Sequence, residues 1–200
     1  MEENYTVHCG DYLIRTTITA TLSVVRKWIY TIRYRHRFRL RGGRLVVGLG
    51  VQWVPGESAA ATLQLCVGND CLIFQLHHAD NCPEILRRFL VDPDVIFVGF
   101  SNHSDAAMLM RSPHGLEVGR LVDVRRVAHD LRCCRAGASM GELAEEILGM
   151  HGMEKDYGVG RSDWDDEELT MDQVNYACHD VFLACLMANE LKVWNWEDDD

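Results

Sequence analysis

The hydrophobic pattern of the chain changes period several times, and each change marks an element. Tyr5 to His8 and Tyr12 to Ile18 roughly alternate in polarity around Gly10-Asp11, which predicts a hairpin. A helix is predicted next, capped by Thr21 or Ser23 and running to about Tyr34, with Val24, Val25, Trp28, Ile29 and Ile32 on one face. Leu45 to Trp53 is apolar almost throughout, as in a buried strand, and leaves the core through Pro55-Gly56. Thr62 to Val67 and Leu72 to Leu76 flank Gly68-Asn69-Asp70, a second hairpin, so three strands are expected to meander.

The second half alternates helix and strand. Pro83 begins a helix through Leu90. Val95 to Val98, bounded by Pro93 and Gly99, has the form of a short, fully buried parallel strand. A helix to Met110 and a strand at Leu121 to Val124 follow. Ser139-x-x-Glu142 and Thr170-x-x-Gln173 are capping boxes, and the second opens a long helix to about Leu191. The connection between these last two helices is long, glycine-bearing and acidic, the kind of loop that carries function or moves. Strands first, then alternation, predict an α/β layered fold with a mixed sheet. We read residues 1–200 as a single domain, with a core over about 45–191 and an N-terminal hairpin and helix over 5–34.

Composition narrows the classes. No run of apolar residues is long enough for a membrane-spanning helix. The acidic start, Met1-Glu2-Glu3, lacks the apolar stretch of a signal peptide, so an intracellular protein of cytoplasm or nucleus is expected. The eight cysteines form no C-x-x-C pair and sit mostly in apolar runs, as free thiols in a reducing compartment do. His77, His78, His103 and His179 lack metal-ligand spacing. Trp194 and Trp196 are expected to pack the terminus or a partner subunit.

The net charge of −10 is unevenly spread: Arg26 to Arg44 holds eight of the twenty basic residues, whereas Asp163 to Glu168 and Glu197 to Asp200 are acidic. A net-negative chain is a poor sliding DNA binder. Within the basic strip, Arg35, Arg37, Arg39 and Arg41 interleave with His36 and Phe38, behind Tyr34. Arginines reach phosphates and aromatics stack on bases, so the strip is a nucleic-acid or subunit contact beside the cleft, or else a solvated connection.

Three segments carry candidate chemistry. Gly50 and Gln52 lie two apart on the Leu45–Trp53 strand and so share a face. Asp105 follows the Val95–Val98 strand at a helix start. Tyr176 and Asp180 stand four apart on one face of the last helix. Taken singly, each has a structural reading: a close-packing glycine, an acid favoured in a helix first turn, a core tyrosine with a solvated aspartate. Carboxylates converging from different elements are also what two Mg²⁺ or Mn²⁺ ions need to activate water against a phosphodiester.

In sequence order the set resembles the DEDD exonucleases of the RNase H-like (DnaQ-like) superfamily, in the branch with a tyrosine. The resemblance is to the Werner syndrome exonuclease domain and its small plant relatives, the RISC-interacting clearing exoribonucleases among them. The first motif of that family reads G-L-D-x-E-W-x-P and here reads Gly48-Leu49-Gly50-Val51-Gln52-Trp53-Val54-Pro55. Val98-Gly99-Phe100 with Asp105 matches the second. Leu169 to Asp180 matches L-T-x-x-Q-x-x-Y-A-x-x-D at every fixed place. Ser162 to Asp165 and Val118 to Ala128 match the connecting phrases.

The resemblance implies an RNase H-like mixed β-sheet flanked by α-helices. It implies 3′–5′ exonuclease action on single-stranded RNA or DNA 3′ ends, Mg²⁺ or Mn²⁺ as cofactor, and a homo-oligomer or a hetero-oligomer with relatives, away from any membrane. It places Asp105 and Asp180 as metal ligands and Tyr176 as the group orienting the attacking water. It also exposes a departure. The acid that bridges both metals is Gly50, and its partner is Gln52, whose neutral carbonyl is a weak ligand for a hard cation. Glu57, past Pro55-Gly56, is poorly placed to replace them. A carboxylate lent by a neighbouring subunit is the other route to rescue. The expectation is a nuclease fold with weak or lost activity. The alternative is a non-catalytic protein that binds nucleic acid or pairs with active relatives.

Overall fold

The computed structural model describes residues 2–197; the acidic residues Asp198 to Asp200 lie outside the described residues. A seven-stranded sheet has the order β1-β2-β5-β4-β3-β6-β7. β1 (Glu2–Cys9) and β2 (Tyr12–Thr19) form the expected hairpin. β3 (Leu45–Gln52), β4 (Thr62–Val67) and β5 (Asp70–Gln75) form the expected meander. β6 (Val95–Gly99) and β7 (Leu121–Asp123) add on parallel to β3. β2 runs parallel beside β5, so the N-terminal hairpin extends the central sheet.

The helices cover both faces. α1 (Leu22–Arg35), α3 (Glu84–Leu90) and α4 (Asp105–Met110) supply one core together with the odd positions of β3, Leu45, Val47, Leu49 and Val51. α5 (Val124–Arg132), α6 (Met140–Leu148) and α8 (Met171–Glu190) supply the other, with Val46 of β3. Both predicted capping boxes form, Ser139 with Glu142 and Thr170 with Gln173. Some elements differ from expectation. A short helix, α2 (Arg37–Arg41), breaks the connection into β3. Val124 begins α5 instead of ending β7, because the Asp123 carboxylate accepts the Arg125 N–H and caps the helix there.

Glycine explains how α8 reaches the sheet. A Cβ on Gly48 would stand 2.0 Å from the Val181 carbonyl oxygen, so only glycine lets the helix backbone lie directly on β3. That close approach aims the side chains of Tyr176 and Asp180 at the C-terminal ends of β3 and β6. Ligand crevices in open α/β sheets sit outside strand carboxyl ends of this kind.

The connection from α6 to α8 is fastened to α8 and to the sheet. It holds a short helix, α7 (Tyr157–Gly160), capped by the Asp156 carboxylate. Gln173 of α8 donates to the Ser162 hydroxyl at 3.0 Å and to the Asp163 carbonyl at 2.7 Å. Gln75, at the end of β5, donates to the Glu167 carbonyl. The fixed Gln of the third motif thus ties the acidic segment to the start of α8.

Candidate active site

The C-terminal end of β3 turns Gly50 and Gln52 toward α8, on the face that the two-residue period requires. Asp105, in the first turn of α4, and Asp180, on α8, approach the same place. Both line a cleft of about 640 Å³ with Gln52 and Tyr176. Gln52 and Asp105 are each only 8% exposed. Four of the five motif residues therefore line one cleft, and Gly50 is buried next to Asp180 beside it.

What fills the Gly50 position is specific. Its partner across the antiparallel ladder is Gln64, whose side chain lies on the same face. A Cβ at Gly50 would meet Val181 Cγ1 at 3.0 Å, Gln64 Oε1 at 3.2 Å and Asp180 Oδ2 at 3.7 Å. Gln64 donates to the Thr62 hydroxyl, but its Oε1 is buried with no hydrogen-bond donor among the described residues. The place of the bridging acid is thus crowded by a methyl group and a neutral amide oxygen.

The group that sequence reasoning missed is Lys155. It comes from the long connection, and its ammonium lies 2.5 Å from Asp180 Oδ1. The pair is mostly withdrawn from solvent, with Lys155 18% and Asp180 12% exposed. Phe100 and Tyr176 present their ring faces to the ammonium at 5.1 and 5.6 Å. The loop's length pointed to function, but nothing in its sequence aims a particular side chain inward.

The charges are strongly coupled. Burial, with Asp180 alongside, pushes the Asp105 carboxyl up to about 8, although Lys155 pulls the other way. Burial alone would lower the Lys155 ammonium, but Asp180, Tyr176 and Asp105 outweigh it and raise it. Burial also raises the Tyr176 hydroxyl, opposed by Lys155. The ring of Tyr176 packs against Trp164 of the Ser162–Asp165 phrase, with centroids 6.0 Å apart. A Cβ on Gly160 would stand 2.6 Å from the Tyr176 hydroxyl, so α7 also fixes that ring.

The rim carries Trp53, Phe100 and Tyr157 with Arg125 and Arg161. Arg125 is held by Asp123 at 2.8 Å and lies over Phe100. Glu57 is exposed and does not line the cleft. The basic strip is elsewhere. Arg35 pairs with Asp70 at the start of β5, the end of the sheet opposite the cleft, and α1 packs on the face opposite α8. Its placement beside the cleft is therefore corrected: Arg37, Arg39 and Arg41 of α2 precede the N-terminal end of β3, whereas the cleft lies at its C-terminal end.

A family model described as 3′–5′ exonuclease matches residues 52–193. The chain belongs to the 3′–5′ exonuclease family. Human exonuclease 3′–5′ domain-containing protein 2 is 31% identical over 151 residues, covering 70% of this chain and 24% of the relative. The mouse bifunctional 3′–5′ exonuclease/ATP-dependent helicase WRN is 26% identical over 152 residues, 73% of this chain and 11% of that protein. This family member therefore spans a quarter or less of the length of these relatives. Among solved structures, Escherichia coli RNase D, an exoribonuclease involved in structured RNA processing, superposes with a TM-score of 0.63 at 19% identity. The superposition covers 78% of this chain and 41% of that one, and shows the shared fold.

Within this exonuclease fold the residues present do not suit a pair of divalent cations. Two such ions a few ångströms apart need several carboxylates converging on them to offset their charge. Here one ligand position is Gly50, another is the neutral Gln52, and Asp180 already faces an ammonium.

Proposed function

We propose that this exonuclease-family protein receives single-stranded nucleic-acid 3′ ends, RNA in particular, in the cleft between β3, α4 and α8, with metal-dependent hydrolysis weak or lost. The observation that carries the reading is the Gly50 position, which has no carboxylate and is crowded by Val181 and Gln64. Loss of one catalytic electrostatic group costs roughly 10²–10³ in rate, and two such positions are changed here. Binding rests on other groups that remain: exposed Arg161 carries positive charge at the rim, and Trp53, Phe100 and Tyr157 offer stacking faces.

The α1–α2 stripe is a second candidate RNA contact. Tyr30, Tyr34 and Phe38 recur every four residues and are 59%, 71% and 70% exposed. The Arg37 guanidinium lies over both Tyr34 and Phe38, at 5.0 and 4.6 Å. Exposed aromatics among arginines suit unpaired bases and their phosphates.

Reconstruction tests the proposal. Gly50→Asp with Gln52→Glu, and Val181→Ala to clear space, is assayed for Mg²⁺- or Mn²⁺-dependent 3′-end trimming of single-stranded RNA and DNA. The reconstructed protein is expected to trim at least about 10² faster than the unmodified one. Robust trimming by the unmodified protein, abolished by Asp180→Ala, overturns the reading.

A further inference from the structure

Asp105 and Asp180 reach the cleft floor from different helices, and their charges require a cation if both are ionised. The protein supplies one from its own chain. Lys155 Nζ lies 2.5 Å from Asp180 Oδ1, a buried oxygen with no other hydrogen-bond partner among the described residues. Asp105 lines the same cleft, and Phe100 and Tyr176 turn their ring faces to the ammonium. We infer that Lys155 is a tethered replacement for a divalent cation, its ammonium holding Asp180 and excluding Mg²⁺ and Mn²⁺ from the unmodified protein. The inference rests on the reading of the cleft as an incomplete metal site.

The geometry favours lysine over metal on two counts. First, charge: a divalent ion would lack a bridging carboxylate at Gly50 and would meet an ammonium already on Asp180, with only neutral amide oxygens from Gln52 and Gln64 to add. An ammonium has only three donors to satisfy, and aromatic faces serve it well. Second, preorganisation: the segment bearing Lys155 is held by the Asp156 cap on α7 and by Gln173, which fixes Ser162 and Asp163. Gly160 is seated under the Tyr176 hydroxyl. The tether keeps the ammonium at a high effective concentration, so a free ion must break the pair and displace the segment.

The test uses the full chain, Lys155→Met, and Lys155→Met with Asp180→Asn. Mn²⁺ binding is followed by the EPR signal of free Mn²⁺ and by thermal melts. The unmodified protein is expected to bind Mn²⁺ weakly, with an unmoved melting temperature. Lys155→Met should melt lower, bind Mn²⁺ on the order of tenfold more tightly or better, and recover its melting temperature saturably with Mn²⁺. The double variant should melt near the unmodified protein and lose the Mn²⁺ response. If Lys155→Met folds only when Mn²⁺ is present, the inference stands. Tight Mn²⁺ binding by the unmodified protein overturns it, as does a Lys155→Met protein whose fold or affinity Mn²⁺ does not improve. These readouts are of metal occupancy and melting, so they can fail while the trimming assay supports the proposed function, and the reverse.

Discussion

Asp105 gives the cleft a pH signature that can be measured without any substrate. Its carboxyl is pushed up to about 8 in the folded protein, first by burial and then by Asp180. In the unfolded chain it titrates near 3.9. The folded state therefore keeps a proton that the unfolded state releases. The stabilisation is complete below about pH 4 and is lost as pH rises through about 8. A difference of about four pKa units corresponds to on the order of 5 kcal/mol, a large part of a typical domain's stability. Asp105→Asn removes this titration and keeps the shape. Two histidines act in the opposite sense: burial lowers His36 and His114, so their contribution grows as pH rises. The difference between variant and unmodified protein isolates Asp105 from them. Urea unfolding from pH 5 to 9 is expected to show Asp105→Asn gaining relative stability by several kcal/mol as pH rises. A difference that stays flat or reverses across that range would refute the argument.

Two further outcomes are expected. Gly48→Ala would force a methyl to within 2.0 Å of the Val181 carbonyl oxygen, so α8 must lift from β3; a loss of about 3 kcal/mol or more in urea unfolding, or failure to fold, is expected. Replacing Arg37, Arg39 and Arg41 by Gln should lower the salt slope of single-stranded RNA binding by about 2, since each lost phosphate contact removes about 0.7; fluorescence anisotropy at several salt concentrations reads it, and an unchanged slope assigns the stripe another partner.

Much of this architecture is legible because periodicity and capping are local. The two-residue period of β3 places Gly50 and Gln52 together, and the capping boxes at Ser139 and Thr170 form as written. The third motif is legible in the same way, since Tyr176 and Asp180 lie one turn apart on one helix. Lys155 is not, because its position depends on how a long connection folds back, held by distant residues such as Gln173 and Gln75. Gln64 escapes notice for a related reason: only strand register sets it opposite Gly50. The basic strip shows the limit of composition. Its arginines are as exposed as expected, yet the direction of β3 carries them to the far end of the sheet from the cleft.

Charge explains why the departures from the family motif belong together. Gly50 and Gln52 withdraw two negative charges from the cleft, and a proton on Asp105 below about pH 8 withdraws a third. Asp180 remains, matched by the ammonium of Lys155. The floor of the cleft is thus balanced with no ion present. Groups balanced in this way do not contribute independently. Gly50→Asp alone would set a carboxylate beside Asp180, whose Oδ2 is 3.7 Å from the new Cβ, with no ligand at residue 52 to share a cation. That single change is expected to cost stability and bring no activity. Gln52→Glu alone likewise adds an anion without a bridging partner. A metal-dependent gain that appears only when both are present is what a shared cation site requires, whereas equal and additive gains from each would show that the two positions never served one ion.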